Sequence, residues 1–248
     1  VVIHGATGVP MGFYRAFAEW LAAERGLAVL TYDYRDFGAS LTGPMRRARA
    51  TMRDWGTADQ PAALAALRRM VPDVPLWVIG HSLGGVMLGW HPGMAGVARV
   101  ITVGSGLVHV GDHPAGFRLL ARAFWHGMPL LARAWGYLPG WAGLGPDIPL
   151  GVYQDWRRWC LSPGFHLSDV GSRLTLPDPA LVQADMLIIA VSDDAWVPPA
   201  AVWRLMALYP RAIKRQRVLR PADHGLRAIG HLGAFSRRNS VVWPAMVD

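Results

Sequence analysis

The stretch that most constrains this chain is Leu76-Trp-Val-Ile-Gly-His-Ser-Leu-Gly-Gly85, an apolar run that stops in glycines with one serine held between them. It reads as a buried strand turning straight into a helix, with Ser82 at the apex. Gly80-x-Ser82-x-Gly84 fits the nucleophile-elbow pattern, in which a strained serine needs neighbours with almost no side chain for the turn to close. The plainer reading is an ordinary strand-to-helix turn, so the rest of the chain has to decide.

Upstream, Val1-Val-Ile3 reads as the end of a buried strand, and His4-Gly-Ala-Thr-Gly8 as a glycine-bearing loop that lets the backbone approach a ligand. In a serine hydrolase such a loop supplies one of two backbone N–H groups aimed at the oxyanion. Ala6 is the candidate, with Thr7 its neighbour, and Leu83 is the second donor. Phe13, Phe17, Trp20 and Leu21 recur at helical spacing up to Gly26, which stands where a helix end wants a left-handed residue. Leu27–Tyr32 is the next strand, Ala58–Met70 the next helix, then the elbow strand and a strand at Val100–Val103. Alternating strands and helices predict an α/β fold, a mostly parallel sheet with crossover helices.

The alternation lapses over residues 107–180. That stretch is rich in Gly and Pro, has amphipathic pieces, and holds Trp125, Trp135, Trp141, Trp156 and Trp159. A segment this long without sheet signals is expected to be an inserted helical cap, dividing the core into residues 1–106 and 181–248. Trp125, Trp135 and Trp156 are candidates for lining a substrate pocket beneath it, where an apolar wall excludes water. An interfacial helix over Phe117–Trp135 is disfavoured, because Gly127 and Pro129 are expected to interrupt it.

The parallel pattern resumes at Ala184–Val191 and runs into Ser192-Asp-Asp-Ala-Trp-Val-Pro-Pro199. Carboxylates just past a late strand lie at the rim where open α/β sheets place their sites. Asp194 is the candidate for orienting a histidine, and Asp193 the fallback. Ile213–Leu219 is a final strand, after which His224 and His231 compete as the base. Ser, then carboxylate, then His is the chain order of an α/β-hydrolase. Ser82, Asp194 and His231 satisfy it, and they predict acyl transfer through an acyl-enzyme.

Beyond that pattern, the sequence resembles a group of α/β-hydrolases distantly similar to serine aminopeptidase and monoacylglycerol lipase-like enzymes. The resemblance rests on Ala6-Thr-Gly-Val-Pro-Met-Gly-Phe-Tyr14, Thr31-Tyr-Asp-Tyr-Arg35, Asp54-Trp-Gly56, the elbow, Trp135-Gly-Tyr-Leu-Pro-Gly140, Leu150-Gly-Val152, Trp156-Arg-Arg-Trp-Cys160 and Ile229-Gly-His231. It implies His231 as the base rather than His224, since the family's histidine follows Ile-Gly. It also implies that the first strands of the usual sheet precede Val1. Asp36 departs from it, standing where such proteins carry Gly after Asp-Tyr-Arg.

Composition narrows the partners. The formal charge of +8 is nearly all arginine, scattered and without a nucleic-acid motif, so a solvated basic surface is expected. No apolar run is long enough to span a bilayer. The single cysteine, Cys160, fits a reducing, cytoplasmic setting. The chain opens without Met inside an apolar run, so some N-terminal sequence is expected to be missing. His109 and His113 lack the company of a metal site, and the loop glycines lack dinucleotide spacing. The expectation is a cofactor-independent, metal-free serine hydrolase acting on an ester, thioester or amide of a moderately apolar small molecule. An acyltransferase using the same three residues, or a non-catalytic scaffold that binds a ligand, are the alternatives.

Overall fold

The structure, a computed structural model, describes residues 1–142 and 145–248. Its centre is a six-stranded parallel sheet in the order β2-β1-β3-β4-β7-β8. The chain enters at β1 (Val2–His4), crosses through α1 (Arg15–Arg25) to β2 (Leu30–Thr31), and returns through α2 (Met52–Asp54) and α3 (Gln60–Met70) to β3 (Leu76–His81). The elbow helix α4 (Leu83–Val86) leads to β4 (Val97–Val103). The expected helix end at Gly26 has φ of 63°, the left-handed conformation that glycine adopts without penalty.

Both faces of the sheet are apolar, as a parallel sheet covered by helices requires. Val2, Val78, Val100 and Ile188 point into one core with the α3 side chains Leu64 and Leu67. Their chain neighbours Ile3, Ile79, Ile101 and Ile189 point into the other, with Phe17 and Leu21 of α1. Each such side chain contributes about 1.5–3 kcal/mol on burial, which leaves little freedom of register.

Between β4 and the next sheet strand lie α5 (Ala115–Trp135), an antiparallel pair of two-residue strands, β5 (Tyr137–Leu138) and β6 (Ile148–Pro149), and α6 (Leu150–Cys160). None of these joins the central sheet. The expected break at Gly127 and Pro129 does not occur, because α5 runs through both. Proline at 129 removes the N–H that Trp125 C=O needs one turn earlier. Arg157 of α6 replaces it, donating from Nε to that carbonyl at 2.6 Å. A tertiary contact thus supplies the bond the helix lacks.

The chain rejoins the sheet at β7 (Asp185–Val191), passes α7 (Pro199–Leu205) to β8 (Ile213–Leu219), and ends in α8 (Gly230–Gly233) and α9 (Trp243–Val247). Asp36, the departure from the family pattern, takes φ of 59°, a conformation glycine adopts freely. Its carboxylate offsets the strain by accepting from Arg49 N–H at 2.7 Å and Ala50 N–H at 2.9 Å. Among the described residues no helix is long and apolar enough to cross a membrane.

Three buried histidines, His4, His91 and His166, make a prediction. Burial, reinforced by the charge of His91, pushes His4 down from 6.5 to about 3. Burial and Arg68 push His91 to about 4, and burial pushes His166 to about 4. Each is neutral in the fold and takes up a proton more readily once unfolded, so stability is full above about pH 6.5 and drains as pH falls towards 4 and then 3. Together they tilt the balance by several kcal/mol. Thermal unfolding should therefore show the midpoint dropping steeply over that range. His91→Leu should flatten the drop, since neither ring nitrogen has a partner among the described residues.

Candidate active site

Ser82 sits where β3 meets α4 with φ of 53° and ψ of −124°, outside the regions an L-residue prefers. Two glycines make the turn possible. A Cβ on Gly80 would lie 2.3 Å from Gly85 Cα, and one on Gly84 would lie 2.2 Å from His4 O. The second approach presses the elbow against the His4–Gly8 loop. Ser82 N–H donates to Val103 O at 3.0 Å, and Gly104 N–H to Ile189 O at 2.9 Å, so the ends of β3, β4 and β7 are tied at one rim.

Asp194 reaches that rim from the turn after β7 and His231 from α8, beyond β8. His231 Nδ1 lies 2.7 Å from Asp194 Oδ2, and His231 Nε2 lies 2.9 Å from Ser82 Oγ. A carboxylate only accepts, so Nδ1 carries the proton and donates, leaving Nε2 to accept from the serine hydroxyl. Asp194 is buried, and its other oxygen accepts from Trp196 N–H at 2.8 Å and Val197 N–H at 2.9 Å. Trp196 stacks over the imidazole, with ring centroids 5.9 Å apart and planes within 3°.

The two aspartates divide the work. Asp193 serves the backbone instead: it accepts from Ile229 N–H at 2.9 Å and Gly230 N–H at 3.1 Å and so holds the segment that presents His231. His224 lies in the 3-10 turn Pro221–His224 after β8, and Ser82 Oγ is taken by His231.

A cavity of about 230 Å³ opens beside Ser82, with Ala6, Thr7, Leu83, Trp156, Phe165 and Trp196 in its wall. A second of about 230 Å³ adjoins it, sharing Trp156 and Trp196 and otherwise lined by groups such as Phe117, Phe124 and Trp125. Trp125 and Trp156 thus face cavities. Trp135 lines neither of these two: it is 42% exposed at the end of α5 and packs edge-on against Trp141. Helical spacing puts it among the apolar residues, but α5 has turned that position outward.

The expected loop donor needs a second correction. Ala6 N–H donates to Tyr14 Oη at 2.8 Å, so it is already engaged. Its neighbour Thr7 lines the cavity next to Ser82. Sequence reasoning did not single out Tyr14 or His81. The one available signal was a histidine in an otherwise apolar strand, where a buried polar ring usually has a hydrogen-bond partner.

A family model described as the alpha/beta hydrolase family matches residues 1–237. The chain belongs to the alpha/beta hydrolase family. No curated protein matches it. Solved α/β-hydrolase structures resemble it across nearly its whole length. A structure reported for LipS and LipT, two metagenome-derived lipolytic enzymes, has a TM-score of 0.61 at 20% identity, covering 98% of this chain and 89% of that one. A thermophilic esterase from Thermogutta terrifontis gives 0.52 at 18%, covering 98% and 86%. The enol-lactonase from Burkholderia xenovorans gives 0.56 at 15%, covering 100% and 89%. At these identities the likeness shows the α/β-hydrolase fold alone.

Proposed function

We propose that this α/β-hydrolase is a cofactor-independent serine hydrolase that cleaves an ester, thioester or amide of a moderately apolar small molecule. The observation that carries the reading is the unbroken line from the buried Asp194 carboxylate through His231 to Ser82 Oγ at a strained elbow. His231 Nε2 takes the hydroxyl proton as Oγ attacks the acyl carbon. The Nδ1–H···Asp194 bond stabilises the imidazolium, and the backbone N–H groups of Leu83 and Thr7 receive the oxyanion. The imidazolium then protonates the leaving group, and water, activated by the same ring, releases the acid.

The segment carrying α5 and α6 is read as a cap whose Trp125 and Trp156 supply apolar wall. Likeness to the serine aminopeptidase and monoacylglycerol lipase-like group is the finer placement we favour. Cys160, free and buried, supports a reducing, cytoplasmic setting.

A fluorophosphonate probe tests the nucleophile, since only an activated serine reacts; it should label the protein at Ser82. The apolar wall is tested with p-nitrophenyl acetate, butyrate, hexanoate and octanoate. Burial of each methylene should raise kcat/KM about threefold to fourfold until the cavities are full. A best rate on acetate overturns the substrate reading, and absence of labelling overturns the hydrolase reading.

A further inference from the structure

Behind the reacting groups runs a second line of polar contacts that the chemistry above does not use. Ala6 N–H donates to Tyr14 Oη at 2.8 Å, Tyr14 Oη lies 2.8 Å from His81 Nδ1, and His81 Nε2 lies 3.1 Å from the carbonyl oxygen of His231. The direction of every proton is forced. A backbone N–H only donates and a carbonyl only accepts, so the phenol proton goes to Nδ1 and the ring proton of His81 sits on Nε2. Tyr14 is 2% exposed and His81 fully buried, so each polar atom in the line depends on its neighbour. Burial and the nearby His231 hold His81 far below the ordinary histidine range, which keeps it neutral, as this proton arrangement demands.

The two ends of the line matter most. One is the loop that faces the cavity beside Ser82; the other is the backbone of the proposed base, His231. The middle, His81, is covalently joined to Ser82. Plain packing at these positions needs no such chain, because the rings already pack: Phe235 lies 5.2 Å from Tyr14 and 4.7 Å from His81.

We propose that Tyr14 and His81 are positioning residues, a neutral hydrogen-bonded strap that fixes the backbone of His231 and the loop at Ala6 relative to Ser82. The inference rests on the serine-hydrolase reading. Its cost is paid in fixed geometry: misplacing reacting groups by about 1 Å can lower a rate on the order of a hundredfold. Neither residue is in the wall of the two cavities, so the strap is expected to act on the rate constant and leave ground-state binding alone.

The test uses Tyr14→Phe, which cuts the line at the phenol, His81→Asn, which keeps an acceptor for Tyr14 but loses the contact to His231, and the double variant. Turnover of p-nitrophenyl butyrate, fluorophosphonate labelling rate and thermal unfolding are measured on the full chain. Each single variant should lose about tenfold to a hundredfold in kcat with KM within about threefold, and the double should lose no more than the worse single, since one strap is cut only once. Labelling should slow in step with kcat. Wild-type turnover in a folded Tyr14→Phe, losses carried by KM, or losses that multiply in the double variant overturn the proposal while the nucleophile reading stands. If one single variant does not fold, the other decides by the same kcat and KM criteria. A wild type that neither labels nor turns over overturns both.

Discussion

Ser82→Ala is expected to leave a folded protein whose kcat has fallen by roughly a factor of 10⁶. The substitution deletes only Oγ, whose one partner among the described residues is His231 Nε2 at 2.9 Å. It keeps the Cβ, and with it the strain of a residue at φ 53°. Thermal unfolding should therefore barely move. Ser82→Gly, equally inactive, should be more stable than Ser82→Ala by about 1–3 kcal/mol, because glycine takes that conformation without strain. Activity surviving in Ser82→Ala places the nucleophile elsewhere.

Asp194→Asn should cost about 10⁴ in kcat. The size follows from the way Asp194 is held. Trp196 and Val197 N–H groups both point at Oδ1, so an asparagine there must keep its carbonyl oxygen facing them. Its amide nitrogen then faces His231 Nδ1 and donates to it, which pushes the ring proton to Nε2 and leaves Ser82 with no acceptor. Asp193→Asn, by contrast, keeps an acceptor for at least one of Ile229 and Gly230 N–H and should stay within about tenfold of wild type. Steady-state kinetics on the two variants decide which aspartate serves the ring. A larger loss in Asp193→Asn reverses the roles.

Much of the framework was legible because it depends on local pattern. Ile213–Leu219 reads as a strand and is one, over the same residues. The left-handed Gly26 and the tight glycines around Ser82 follow from backbone sterics that each position carries in itself. Other features depend on partners remote in the chain. Pro129 reads as a helix breaker, and α5 survives it only because Arg157 caps the Trp125 carbonyl. Ala6 reads as an open donor until Tyr14 takes its N–H. Trp135 reads as pocket lining until the rotation of α5 sets it outside.

The sequence alone determined the α/β class, the parallel strands, the elbow and the order in which a hydroxyl, a carboxylate and an imidazole follow one another, because periodicity, glycine placement and chain order need no knowledge of what packs where. Only the tertiary structure decided the strand order, that Asp194 rather than Asp193 meets His231, which tryptophans face a cavity, and that Tyr14 and His81 join the loop at Ala6 to His231. Those outcomes turn on the direction of individual side chains brought together across as many as 150 positions. Such directions are set by close packing of the whole, which no local stretch encodes.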